Sequence, residues 1–112
     1  MIIWVDENTF ATALLEEIFK KRNVPFYTIN SAENFSYLID DLNPSLLVLD
    51  SLTALKHLDK LKFQYEKSES LRNLPVVIID DQEYLDFIPH KRESLHRPFD
   101  PFQIPDILQK II

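Results

Sequence analysis

The sequence predicts a single α/β domain over residues 1–112, built on a parallel sheet with helices on both faces. Two observations carry this. Short apolar runs alternate with stretches of helical period along the whole chain, the pattern of repeated βαβ units. Two of the runs, Leu46-Leu47-Val48-Leu49 and Val76-Val77-Ile78-Ile79, are apolar at every position. Half-buried strands alternate in polarity, whereas strands covered on both faces read as continuous apolar runs.

In order, Ile2-Ile3-Trp4-Val5 is a first strand, β-branched and aromatic, ending on Asp6-Glu7. Asn8 or Thr9 can cap the next helix. In that helix Phe10, Leu14 and Ile18 recur at four-residue spacing, and Ala11, Leu15 and Phe19 widen the stripe. Lys20-Lys21-Arg22 place positive charge where the helix dipole favours it. Pro25 to Ile29 is a short second strand whose leading proline suits a sheet edge. Ser31-Ala32-Glu33-Asn34 starts a second helix with Phe35, Leu38, Ile39 and Leu42 inside, stopped by Asn43-Pro44.

The third strand ends on Asp50. A third helix is expected over roughly Leu52 to Lys67, with Leu55, Leu58, Leu61 and Tyr65 inside, followed by a polar loop from Ser68 to Asn73. The fourth strand ends on Asp80-Asp81. Gln82 to Ile88 has room for two helical turns before Pro89, so the fourth helix is shortened. Ser94-Leu95-His96 reads as a short fifth edge strand. A final helix carries Ile104, Ile107, Leu108 and Ile111 inside, with Pro101 and Pro105 tolerable only near its first turn. With right-handed crossovers this order gives a flavodoxin-like sheet of five strands arranged 2-1-3-4-5.

Composition narrows the function. A formal net charge of -6 argues against a nucleic-acid-binding surface. The chain has no glycine, so phosphate-cradling loops that need close backbone approach cannot be built. It has no cysteine for disulfide or thiolate chemistry. No apolar run approaches the roughly 20 residues of a membrane span, and the N-terminus reaches Asp6-Glu7 too early for a signal peptide. A cytoplasmic location is expected. His57, His90 and His96 lack the spacing of metal ligands. Ser51 lacks the flanking glycines of a hydrolase nucleophile.

Strands one, three and four all end on acids. In the order 2-1-3-4-5 they are neighbours about 4.8 Å apart, so their carboxylates converge on one rim. Like charges that close need a partner, and a hard divalent cation such as Mg²⁺ is a natural one.

The acid pair Asp6-Glu7, the run Leu46-Leu47-Val48-Leu49-Asp50, the strand Leu74-Pro75-Val76-Val77-Ile78-Ile79 and the segment Arg97-Pro98-Phe99 together resemble a response-regulator receiver domain (CheY-like). The resemblance spans essentially the whole chain. It implies that Asp50 is a phosphoryl acceptor, that Asp6, Glu7 and Asp50 hold Mg²⁺, and that the Arg97–Pro98 bond is cis. The partners it implies are a histidine kinase or an output protein of a signalling pathway, or a second copy of the chain.

Several positions depart from the family pattern. Asp80 stands where a receiver has Thr or Ser. Two unit charges 6 Å apart at an effective dielectric near 20 repel by roughly 3 kcal/mol, which works against a phosphoaspartate. Arg97 replaces the lysine, a planar fork in place of a compact ammonium, and a bidentate pair with Asp80 or Asp50 could fill the phosphate pocket. Ser94 stands at the aromatic switch position, and Ser51-Leu52-Thr53-Ala54-Leu55 replaces the family's glycine-containing loop. The first reading is therefore an atypical receiver (pseudo-receiver) of phosphorelay-type signalling that binds a protein without needing phosphorylation, and is not an enzyme. The second is a divergent receiver still phosphorylated at Asp50 with Mg²⁺. The third is a small metal-dependent phosphohydrolase. Trp4, about 7 Å along the strand from Asp6, is a built-in reporter of the rim.

Overall fold

The computed structural model describes all 112 residues, Met1–Ile112. Four strands, β1 (Ile2–Val5), β2 (Phe26–Ile29), β3 (Leu46–Asp50) and β4 (Val76–Ile79), form a parallel sheet in the order β2-β1-β3-β4. Six helices surround it: α1 (Thr9–Lys21), α2 (Ser36–Leu42), α3 (Ser51–Lys56), α4 (Leu58–Lys67), α5 (Glu69–Asn73) and α6 (Ile104–Ile111).

Side chains alternate across each strand, and this divides the core. Ile3, Val5, Leu47, Leu49, Val76 and Ile78 pack against Phe35, Ile39, Leu61, Tyr65 and Leu71 from the α2 to α5 side. On the other face Ile2, Trp4, Leu46, Val48, Val77 and Ile79 meet Leu15 and Phe19 of α1 and Ile104 and Leu108 of α6. Both faces of β1, β3 and β4 are buried, as the unbroken apolar runs predict. β2 is the exposed edge.

The expected fifth strand does not form. Residues 90–95 run beside β4 and make two isolated parallel bridges, Val76 to Lys91 and Ile79 to Leu95. The bridges lie three steps apart on β4 but four on the facing segment, so one residue is unmatched and the ladder breaks, as at a bulge. Backbone bonds survive at both ends: Arg92 N–H donates to Val76 O at 2.7 Å and Asp80 N–H to Leu95 O at 2.8 Å. The two turns expected between Gln82 and Ile88 shrink to one 3-10 turn, Glu83–Leu85.

The helices differ in detail as well. The expected third helix is two helices, because His57 leaves the helical region (φ -133°, ψ 42°). The break lets α3 bury Thr53 and Ala54 while α4 buries Leu61, Gln64 and Tyr65; Leu55 stays exposed. The expected polar loop contains α5, capped by Ser68, whose Oγ accepts the Leu71 N–H at 3.1 Å. α2 starts at Ser36, later than Ser31 to Asn34. Its expected inner face is only partly realised: Phe35 and Ile39 are buried, and Leu38 and Leu42 are half-buried.

In α1 the buried residues are Thr12, Leu15, Ile18 and Phe19, while Phe10 is 91% exposed and Leu14 also faces outward. With no glycine available, the three left-handed positions are taken by Asn23, Asn43 and Asp80, the residue types that tolerate that region best after glycine.

Candidate functional site

The register of the sheet decides what meets at its carboxyl end. Val5 pairs with Leu49, so the following residues, Asp6 and Asp50, lie side by side. Asp50 pairs with Ile79, which places Asp80 one step beyond. Asp6 and Asp50 are each 3% exposed. Carboxylates so far from water need donors, and all four oxygens have them.

Asp6 Oδ1 accepts the Asn8 backbone N–H at 3.0 Å. Its Oδ2 accepts from Arg97 Nη2 at 3.0 Å and from the Trp4 indole Nε1 at 3.5 Å. Asp50 Oδ2 accepts the Thr53 backbone N–H at 3.1 Å and the Thr53 hydroxyl at 2.7 Å. Asp50 is thus the N-cap of α3. Its remaining oxygen, Oδ1, accepts from Arg97 Nη1 at 2.6 Å, a short charge-assisted bond.

Arg97 therefore bridges two acids. The expected bidentate pairing with Asp80 or Asp50 alone is not what forms: the fork is divided between Asp6 and Asp50. Asp80 Oδ2 lies 3.6 Å from Nη1, and Asp80 Oδ1 accepts the Arg97 backbone N–H at 3.2 Å. His96 Nδ1 is 3.9 Å from the same oxygen. Burial works against the Arg97 charge, but its hydrogen bond to Asp50 and the charges of Asp50, Asp6 and Asp80 outweigh this and raise its pKa. The Asp6 carboxyl is also raised. Burial is the main cause and Asp50 adds to it, while the Asn8 N–H, Arg97 and Trp4 offset only part.

The other acids turn away. Glu7 pairs with Lys56 at 2.5 Å, and its backbone N–H donates to Thr53 Oγ1 at 3.0 Å. Asp81 binds Lys91, with both carboxylate oxygens 3.1 Å from Nζ. The expected ligand set of Asp6, Glu7 and Asp50 is therefore not assembled, and nowhere do three His, Asp or Glu side chains converge to hold a metal. Mg²⁺ needs oxygens at about 2.0–2.1 Å with room for several waters. In this arrangement the two buried carboxylates already have a cation between them, so the residues present do not fit the ion.

Thr53 is the site residue that the sequence reading passed over. Its signal was the Asp50-x-x-Thr53 spacing, which puts a threonine where an N-cap aspartate bonds the third helical residue. The Arg97–Pro98 bond is cis, and the following Phe99 ring stands edge-on to Trp4 with centroids 6.2 Å apart.

No family model matches the sequence, and no curated protein matches it significantly. Solved structures do. A response-regulator signal receiver domain from Bermanella marisrubri matches with a TM-score of 0.72 at 15% identity, over 98% of this chain and 95% of that one. A CheY-like response-regulator receiver domain protein from Methanospirillum hungatei gives 0.72 at 14% identity, over 98% and 89%. The receiver domain of NtrX from Brucella abortus gives 0.64 at 22% identity, over 99% and 97%.

Proposed function

We propose that this chain, which has the fold of response-regulator receiver domains, is an atypical receiver of two-component signalling. It works by binding a protein partner or a second copy of itself, not by accepting a phosphoryl group. The observation that carries this reading is the 2.6 Å contact between Arg97 Nη1 and Asp50 Oδ1. A carboxylate attacks phosphorus through an oxygen lone pair, and hydrogen bonds and ion pairing to that oxygen lower its nucleophilicity. Here one oxygen caps α3 and takes the Thr53 hydroxyl, and the other is held by a guanidinium. Asp80, at the position of the family's hydroxyl residue, adds negative charge where a phosphoryl would need a donor.

The partner class is a histidine kinase or an output protein. Apolar side chains suited to a protein surface flank the rim in sequence: Phe10 after the first acids and Leu52 after Asp50, both strongly exposed. The net charge of -6 disfavours nucleic acid, and no helix is long and apolar enough to cross a membrane. The reading places the protein in the cytoplasm and assigns it no turnover. A metal-dependent phosphohydrolase has little support, since no trio of metal-ligating side chains forms.

The test is exposure of the protein to acetyl phosphate or beryllofluoride with Mg²⁺, followed by intact mass and amide NMR. No adduct is expected. An adduct in the wild type that disappears in Asp50→Asn would overturn the reading in favour of a divergent receiver phosphorylated at Asp50.

A further inference from the structure

We infer that Arg97 is a tethered counter-cation that stands in the Asp6–Asp50 pair in place of a divalent ion and keeps such an ion out. The inference shares the Arg97 contact with the function proposed above but not its conclusion, because a metal-free rim and a silent Asp50 are separable properties.

Three features carry it. The guanidinium reaches one oxygen of each buried acid, Asp50 Oδ1 at 2.6 Å and Asp6 Oδ2 at 3.0 Å, so it sits between the carboxylates that would have to share an ion. The remaining oxygens accept from the Asn8 backbone N–H and from Thr53, and the Trp4 indole N–H shares Asp6 Oδ2 with Arg97, so the pair is also held by donors other than the guanidinium. The third expected ligand, Glu7, is held by Lys56 on α3. Each acid that a metal would need thus already has a cation of the protein's own.

The tether makes the competition one-sided. Asp80 Oδ1 holds the Arg97 backbone N–H, and Phe99, two residues on, packs on Trp4. A group anchored this way has an effective concentration at the site of millimolar or more without any cost of association. A free ion must displace it, and must shed part of its own hydration to do so. Three carboxylates (Asp6, Asp50 and Asp80) face this one guanidinium. With Arg97 removed, Asp6 and Asp50 keep their Asn8, Trp4 and Thr53 donors but lose their counter-cation, and the freed oxygens favour a hydrated dication in its place.

The experiment uses the full chain and titrates MgCl₂ while following Trp4 emission, with MnCl₂ and NMR line broadening as the second readout. Trp4 donates to Asp6, so it reports directly on the pair. Wild type is expected to show no saturable change up to tens of millimolar. Arg97→Ala and Arg97→Gln are expected to bind with a saturable response, tightened by roughly 10- to 100-fold relative to wild type, and Asp50→Asn in either background is expected to abolish it. A saturable wild-type response at low millimolar Mg²⁺ overturns the inference, because ion and guanidinium would then coexist. So does a folded Arg97→Gln that ignores both ions. If neither variant folds unless Mg²⁺ is added, the ion replaces the side chain and the inference holds; if Mg²⁺ does not restore the fold, it falls. None of these outcomes bears on whether wild-type Asp50 accepts a phosphoryl group.

Discussion

Gln64 on α4 and Arg97 before α6 each gather polar groups from distant stretches of chain into the interior. Gln64 is neutral and saturated. Its Oε1 accepts the Phe35 N–H at 2.7 Å and the Ser36 N–H at 3.0 Å, and its Nε2 donates to Ala32 O at 2.9 Å and Glu33 O at 3.2 Å. It thereby caps the otherwise uncapped start of α2 from another helix. Arg97 is charged, its side chain is 37% exposed, and it is outnumbered by acids. A neutral saturated cluster can only hold the fold together. A charged and partly exposed one can be titrated, displaced or rebuilt, and a site with chemistry behind it is of the second kind.

The largest effect should come from the neutral cluster. Gln64→Ala leaves the buried Phe35 N–H and Ala32 carbonyl without partners, and about 3 kcal/mol of stability should be lost in urea denaturation. A loss near zero would mean that water takes over these groups and that the contrast with Arg97 is empty. Arg97→Ala should cost less, about 1–2 kcal/mol, since solvent around the exposed part of the side chain discounts the pair. Its cost should fall with added salt while that of Gln64→Ala should not.

Asp6 tests the charged cluster by pH. Its folded pKa is raised above the ordinary 3.8, so the folded state binds this proton more tightly than the unfolded chain does. Relative to Asp6→Asn, wild-type stability should therefore rise as pH falls through the raised pKa and level off below pH 3.8. A fall over that range would mean that Arg97, not burial, dominates the Asp6 environment. The smallest effect belongs to Tyr65. Its buried hydroxyl has no partner, and burial raises its pKa. Tyr65→Phe should be neutral or stabilising by up to about 1 kcal/mol, read as an unchanged or higher urea midpoint.

Much of this was legible along the chain. β1, β3 and β4 were readable because a strand covered on both faces has no polar alternation to hide it, and Asp6, Asp50 and Asp80 were readable because they end those strands. Trp4, within the first of these strands, is fully buried. The misreadings have a common cause. α1 carries apolar residues on two faces, so spacing alone could not decide that Phe10 faces water while Leu15 and Phe19 meet the sheet. The unmatched residue between Lys91 and Leu95 is visible only against β4, and so the fifth strand was expected where only two bridges form. α5 forms where the polar residues suggest a loop, although Ser68 as N-cap and Glu69 in the first turn mark a helix start.

What the sequence determined by itself is therefore the parallel α/β order and the row of acids at its carboxyl end, since both follow from local pattern and strand adjacency. What only the tertiary structure decided is which acids meet. The side chain of Glu7 leaves the rim for Lys56 and that of Asp81 for Lys91, while Arg97, at the far end of the chain, reaches back between Asp6 and Asp50. Ion pairing is settled by distance and burial in space. A planar fork anchored beside two desolvated carboxylates outcompetes arrangements that spacing in sequence leaves equally open.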